Sequence, residues 1–217
     1  AVALPGAAQV KSEEDTYKPT SGQPGKDVVW VPTPDALVKA MLEAVKTTKD
    51  DLVYDLGAGD GKIPIAAARD YGAKAVGIEY NAEMADFARR NVKRAGVENL
   101  VNIITGDIFV EDFSKATVVT MYLLPTLNVK LRPTILKMKA GTRVTSHQFD
   151  MGDWEPDQKL TIESRDAYVW IVPATVGGEW VLKDDGGTLS GTLSLEQRYQ
   201  RVGGTLTLAG KTQPLLG

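Results

Sequence analysis

Three alternating glycines constrain this chain more than any other feature of its sequence. Gly57, Gly59 and Gly61 follow the apolar run 53–56, which has the pattern of a buried strand, and precede a helical pattern that ends at Gly72. Glycine suits such a loop because a Cβ would block the approach of a ligand and penalise a positive φ. The order strand, glycine loop, helix predicts an α/β domain. Its ligand site should lie at the carboxyl edge of the sheet, where backbone N–H groups and a helix N-terminus face a polar ligand.

The spacing of the loop separates two classes of cofactor. A dinucleotide-binding loop has the pattern G-x-G-x-x-G, in which the third glycine lets the helix pack close to the strand. This chain has Lys62 at that third position and Asp55 ahead of the glycines. A carboxylate there suits a ligand with an ammonium group, such as S-adenosylmethionine, and would repel the pyrophosphate of NAD. The residues of the loop that we predict to bind S-adenosylmethionine are Asp55, Gly57, Ala58, Gly59 and Gly61.

Two further acids follow predicted strands and should meet Asp55 at the same edge of the sheet. Glu79 ends the second strand about 20 residues after the loop, where an acid accepts hydrogen bonds from ribose hydroxyls, and Tyr80 follows it. Asp107 follows the third strand. Its carboxylate can accept a hydrogen bond from the amino group of adenine, while Ile108 covers the adenine ring. Either acid, taken alone, could equally be an ordinary surface residue with no role in ligand binding. Three acids at three strand ends favour a ligand role.

Composition narrows the classes of protein and partner. The formal net charge is −3, so the chain has no basic field to attract nucleic acid, and we expect no nucleic-acid partner. The chain has no cysteine and one histidine, His147, which excludes a thiolate or histidine-rich metal site; no metal is predicted. No apolar run approaches the ~20 residues of a membrane span.

The chain divides into three parts. Residues 1–27 are predicted to form a flexible N-terminal arm, 28–172 the cofactor-binding domain, and 173–217 a small antiparallel β meander with a hairpin turn at Gly203-Gly204. The first eight residues resemble the end of a secretory signal. A chain trimmed at an arbitrary point fits equally, so cytoplasmic and exported (periplasmic) locations both stay open.

The segment before the first predicted helix carries Val31-Pro32-Thr33-Pro34. Thr33 is predicted to cap that helix, with Pro34 at its first helical position. Trp30 either packs over the start of this helix or covers the cofactor as a lid, and both interpretations stay open.

The chain resembles one branch of the class I S-adenosylmethionine-dependent methyltransferases. The branch contains the protein-lysine methyltransferases of the mitochondrial ATP synthase c-subunit and adenine nucleotide translocase, with prokaryotic relatives. The segments that carry the resemblance are 31–34, 55–63, 76–81, 106–109, 154–157 and 168–170. It implies a Rossmann-like α/β fold with seven strands in the order 3-2-1-4-5-7-6 and an antiparallel last strand. The meander lies outside the resemblance.

The resemblance also implies an activity: N-methylation of a protein lysine by in-line transfer from S-adenosylmethionine. Tyr122 and Trp30 are the candidates for the lining of the acceptor slot, and Tyr122 is also a candidate cofactor contact. His147, at the end of the fifth predicted strand, either takes the proton of the acceptor or is a structural histidine.

Two alternatives from other classes remain at this point. One is a module that binds S-adenosylmethionine or a partner without catalysis, and the other is an NAD(P)-dependent oxidoreductase, which Lys62 and Asp55 oppose. Enzymes that methylate nucleobases or glutamine usually carry Asn/Asp-Pro-Pro-Tyr after the fourth strand. This chain has 121–125, Met-Tyr-Leu-Leu-Pro, instead, which argues against those acceptors.

Overall fold

The central sheet of this computed structural model has seven strands. They are β1 Leu52–Leu56, β2 Lys74–Glu79, β3 Val101–Thr105, β4 Val118–Met121, β5 Arg143–His147, β6 Gln158–Ile162 and β7 Arg165–Ile171. They lie in the order β3-β2-β1-β4-β5-β7-β6. Strands β1 to β5 pair in parallel, and β7 is antiparallel to both of its neighbours. The predicted order and the antiparallel last strand are confirmed.

The structure describes residues 17–27, 29–186 and 190–216. The signal-like start of the chain lies outside the described residues. Within these ranges, no helix combines the length and the apolar character needed to cross a membrane.

In the part of the chain that the structure describes, four helices accompany the sheet: α1 Asp35–Ala44, α2 Lys62–Tyr71, α3 Ala82–Arg94 and α4 Pro125–Ile135. The α3 helix begins where the Asn81 side chain accepts a hydrogen bond from the Met84 N–H, which satisfies one of the free donors of the first turn. The prediction that Thr33 caps α1 is wrong. Pro34 is the capping residue, and its ring has no polar group to bond the helix. The Thr33 hydroxyl lies 3.0 Å from His147 Nδ1 instead.

Both faces of the sheet are buried, as a mostly parallel sheet requires. Successive residues of a strand point to opposite faces, so the neighbours Val118 and Val119 enter two different hydrophobic clusters. One cluster includes α1, α2 and α3; the other includes Leu131 and Ile135 of α4 together with Trp170 of β7. This two-sided packing fixes the strand ends, where the acids predicted to bind the cofactor lie.

Four more strands form a separate antiparallel sheet, the C-terminal sheet. They are β8 Gly178–Lys183, β9 Ser190–Arg198, β10 Arg201–Leu208 and β11 Lys211–Leu216, in the order β11-β10-β9-β8. The turn predicted at Gly203-Gly204 is wrong, since both residues pair inside β10. A Cβ on Gly204 would lie 1.9 Å from the Ser194 carbonyl oxygen, so this glycine permits close strand pairing. The two-residue turn is Tyr199-Gln200.

The C-terminal sheet contacts the central domain through this turn. The Tyr199 ring stacks on Trp154 with ring centroids 6.0 Å apart, and the Trp154 Nε1–H donates to Gln200 Oε1 at 3.0 Å. Arg198 pairs with Asp153 at 2.9 Å. Trp154 itself is fully buried. The turn therefore completes the cover over a large aromatic side chain of the core.

We expect Tyr199→Ala to lower the free energy of unfolding by about 1–3 kcal/mol, because it removes an aromatic pair and part of the cover over Trp154. Urea unfolding followed by tryptophan fluorescence measures the change. Thr192→Ala, at an exposed position of β9, is the control and should stay within about 0.5 kcal/mol of the parent chain. A Tyr199→Ala protein that unfolds at the parent midpoint would show that the C-terminal sheet is an independent appendage.

Candidate functional site

A cavity of about 250 Å³ lies at the carboxyl ends of β1 to β4. The residues that the sequence predicted for the site and that line this cavity are Trp30, Asp55, Gly57, Ala58, Gly59, Glu79, Tyr80, Asp107, Ile108 and Tyr122. Two predicted residues, Gly61 and His147, are outside its lining. The ends of neighbouring parallel strands thus bring three acids to one cavity.

Three N–H groups of the glycine loop are used inside the protein. The N–H groups of Gly57 and Ala58 both donate to the Ile78 carbonyl oxygen at 2.9 Å, and the Gly59 N–H donates to Glu79 Oε2 at 2.9 Å. The expectation that these groups face the ligand is therefore wrong. Their role is to fasten the loop after β1 to the end of β2.

Gly59 and Gly61 permit two different close approaches. Gly59 has φ 53°, and a Cβ there would lie 2.4 Å from Trp30 Nε1, so the indole rests directly on the loop. Gly61 is the capping residue of α2, and a Cβ there would lie 3.2 Å from the Cβ of Ala88 in α3. Gly61 therefore serves the packing of two helices.

Asp55 is a buried carboxylate at the end of β1, only 3% exposed. Its Oδ1 accepts a hydrogen bond from Thr120 Oγ1 at 2.6 Å. Burial raises the pKa of Asp55 to about 7; the Thr120 hydroxyl opposes this change, and the charges of Asp60 and Glu79 add to it. A cation bound in the cavity would stabilise the charged form of this acid, which is the chemistry that an ammonium group supplies.

Glu79 joins two segments of the site. Its Oε2 accepts from the Gly59 N–H and its Oε1 accepts from the Asn81 N–H, both at 2.9 Å. Each carboxylate oxygen has a second lone pair, so Glu79 retains the capacity to accept bonds from a ligand. Tyr80, next in the chain, is 53% exposed at the mouth of the cavity.

Asp107 is bonded to a lysine of the N-terminal segment. Lys26 Nζ lies 2.6 Å from Asp107 Oδ2 and 4.4 Å from the centroid of the Tyr80 ring. Asp107 Oδ1 accepts from the Phe109 N–H at 2.9 Å. The hydrogen bond from Lys26 lowers the pKa of Asp107, so this acid is charged at neutral pH. Residues 23–27 of the predicted arm thus line the cavity.

An aromatic group forms the side of the cavity beyond β4. Tyr122 lies between His147, with ring centroids 3.8 Å apart, and Phe149, with centroids 6.3 Å apart. Phe149 lines the cavity, whereas His147 is fully buried. His147 Nδ1 is 3.0 Å from Thr33 Oγ1. Burial, and secondly the charge of Arg165, lowers the pKa of His147 to about 4, so the ring is neutral at physiological pH.

Sequence reasoning missed several lining residues. Phe149 follows β5 just as Asp107 follows β3, so its position after a strand end could have revealed it. Leu127 lies in the first turn of α4, and no motif in the sequence marks it as part of the site. Lys26 gave no signal at all, because a polar segment without periodicity does not show where it folds back.

Comparisons with known proteins agree with this geometry. Residues 55–158 match the family model of the ANTKMT methyltransferase domain. A protein-lysine N-methyltransferase of Saccharolobus islandicus (strain REY15A) is 43% identical over 151 residues, which cover 67% of this chain and 94% of that protein. The lysine N-methyltransferase of the ATP synthase c-subunit from Xenopus laevis is 30% identical over 129 residues, covering 59% of this chain and 56% of that enzyme.

A solved structure adds the cofactor. The crystal structure of an RNA methyltransferase from Salinibacter ruber in complex with S-adenosylhomocysteine shares 48% identity, with a TM-score of 0.66, and the match covers 67% of this chain and 96% of that one. The buried Asp55 and the acids at the next two strand ends fit S-adenosylmethionine, which carries an ammonium, a ribose and an adenine. The chain belongs to the same family as the Saccharolobus islandicus protein-lysine N-methyltransferase and is an S-adenosylmethionine-dependent methyltransferase.

Proposed function

We propose that the chain methylates the side-chain amine of a lysine in a protein. The observation that carries this proposal is the apolar side of the cavity, here called the apolar slot, where the Tyr122 and Phe149 rings stack and Leu124 and Leu127 complete the lining. Such a slot accommodates the four methylene groups of a lysine. The 43% identity to a protein-lysine N-methyltransferase supports the same acceptor.

Each of the three acids binds a different part of the cofactor. Asp55, buried beside the glycine loop, binds the ammonium group, because a cation removes the cost of its charged form. Glu79 accepts bonds from the ribose hydroxyls, and Asp107 accepts one from the adenine amino group. Ile108 and Tyr80 flank the ring. Lys26 is bonded to Oδ2 of Asp107 and the Phe109 N–H to Oδ1, so adenine competes with Lys26 for this carboxylate.

Positioning and desolvation are what the protein contributes to the reaction. S-adenosylmethionine supplies, when bound, a methyl group activated for in-line displacement. The acceptor amine must be neutral, and a free lysine has a pKa of about 10.4. The apolar slot disfavours the ammonium form and so lowers that pKa. His147 is fully buried and outside the cavity lining, so it does not reach the acceptor and the proton leaves to water.

The charges at the cavity favour a protein acceptor over RNA. The lining contains five carboxylates and two lysines. Both lysines are paired, Lys26 with Asp107 and Lys62 with Asp35. A cavity lined by more carboxylates than lysines attracts a cationic side chain and repels a phosphate backbone. Because the Salinibacter ruber relative is described as an RNA methyltransferase, RNA is the competing acceptor. Labelling of a cell extract distinguishes a protein acceptor from an RNA acceptor.

The pKa of Asp55 predicts how cofactor affinity depends on pH. In the free protein this acid titrates at about 7, and a bound ammonium group stabilises its charged form. Binding therefore releases a proton at lower pH. We expect the Kd of S-adenosylhomocysteine to fall roughly tenfold between about pH 5.5 and pH 7. Isothermal titration calorimetry across this range measures it.

Two controls isolate the contribution of Asp55. Methylthioadenosine lacks the ammonium group, so its Kd should stay nearly constant over the same range. Asp55→Asn should weaken S-adenosylhomocysteine binding and remove the pH dependence. If methylthioadenosine shows the same pH dependence, Asp55 is not the group that meets the ammonium.

Replacement of Glu79 tests the ribose site. Glu79→Ala removes the acceptor of the ribose hydroxyls, and we expect S-adenosylhomocysteine affinity to fall by about 1.5–3 kcal/mol, which is roughly 10- to 150-fold. Glu83→Ala, an exposed acid in the first turn of α3, is the matched control. An unchanged Kd in Glu79→Ala would remove this residue from the site.

Labelling of a cell extract identifies the class of acceptor. The protein is incubated with extract and S-adenosylmethionine that carries a labelled methyl group, with Asp55→Ala as the control without cofactor binding. We expect the label to resist ribonuclease, to be released by protease, and to lie on lysine in mass spectra. Label that ribonuclease releases, or label confined to small molecules, would overturn the protein-lysine proposal.

A further inference from the structure

One side of the cofactor cavity is formed by residues 23–27 and 29–33, here called the outer wall. Its first part folds back on itself, since the Gly22 N–H donates to the Trp30 carbonyl oxygen at 2.7 Å and the Trp30 N–H donates to the Gln23 carbonyl oxygen at 2.9 Å. Trp30 then rests on Gly59 of the glycine loop. The outer wall thus covers the loop at which the cofactor binds.

The end of the outer wall is held at Thr33. This residue is 6% exposed, and its hydroxyl is 3.0 Å from His147 Nδ1 at the end of β5. Its carbonyl oxygen accepts a hydrogen bond from Lys62 Nζ at 3.0 Å. Two contacts on one residue therefore tie the outer wall to β5 and to α2.

Lys62 has an unusual position for a lysine. It is the first residue of α2, where the positive end of the helix dipole disfavours a cation. Its ammonium group instead reaches across to the Thr33 carbonyl oxygen and pairs with Asp35 at 2.8 Å. The side chain starts immediately after the glycine loop, so the bond couples the loop directly to the outer wall. Helix stability does not explain this lysine, whereas a tie to the outer wall does.

A second attachment of the outer wall lies at the cofactor site itself. Lys26 and Asp107 form a pair with side chains 37% and 25% exposed, and a pair this open to water contributes little. Asp107 is also the acid that we assign to adenine, so cofactor binding replaces this contact. The tie at Thr33 uses none of the three carboxylates that we assign to the cofactor.

We propose that Lys62 and Thr33 are positioning residues that hold the outer wall, with Trp30, over bound S-adenosylmethionine and so set how slowly the cofactor dissociates. This inference rests on the cofactor site and is independent of the acceptor. Its failure would leave the protein-lysine proposal untouched.

Dissociation of S-adenosylhomocysteine, followed by stopped flow after mixing with excess competitor, tests the proposal. Lys62→Met keeps the apolar stem and loses the donor, and we expect dissociation to accelerate about tenfold with little change in the association rate. Lys62→Arg keeps a charged donor and should dissociate at a rate close to that of the parent. Lys39→Met, on the exposed face of α1 with its side chain 73% exposed, is the control and should match the parent.

A second pair of variants does not depend on Lys62. Thr33→Val keeps the shape and loses the hydroxyl, so dissociation should accelerate several-fold. Thr33→Ser restores the hydroxyl and should restore slow dissociation, which loss of packing alone would not do. Thermal melting of each variant confirms folding. The proposal is overturned if Lys62→Met dissociates within twofold of the parent, or if Thr33→Ser is as fast as Thr33→Val.

Discussion

The site depends on the fastening of the glycine loop to the end of β2. The Ile78 carbonyl oxygen accepts hydrogen bonds from two N–H groups of the loop, and the Glu79 carboxylate accepts one from a third. The same carboxylate accepts a hydrogen bond from the Asn81 N–H, and the Asn81 side chain caps the start of α3. One acid thereby links the loop, the second strand and the following helix. Because these groups are satisfied inside the protein, the loop keeps its shape without a ligand.

Burial of Asp55 is the costliest feature of this arrangement. Asp55 is 3% exposed and has one hydroxyl donor and two acids nearby, so its charged form is disfavoured and its pKa is raised to about 7. The cost is acceptable where a ligand brings a positive charge. The fold therefore retains an unfavourable group at the one place where cofactor binding relieves it, as functional sites commonly do.

Local patterns predicted much of the fold and site, and long-range contacts did not follow from them. The glycine loop and the acids at the ends of β1, β2 and β3 were predictable because each signal occupies a few consecutive residues. Gly203-Gly204 misled us, since a pair of glycines looks the same in a turn as in closely paired strands. Thr33 has the sequence context of a helix cap, yet its partner His147 lies 114 residues away. The partners of Lys26 and Lys62 were hidden for the same reason.

A crystal structure of the complex with S-adenosylhomocysteine tests the central claim most directly. The account predicts the ammonium group within hydrogen-bonding distance of Asp55, the ribose hydroxyls on Glu79 and the adenine amino group on Asp107, with Lys26 displaced from that acid. Trp30 should remain over the glycine loop. A complex in which the ligand avoids these three carboxylates, or in which Lys26 still occupies Asp107, would contradict it.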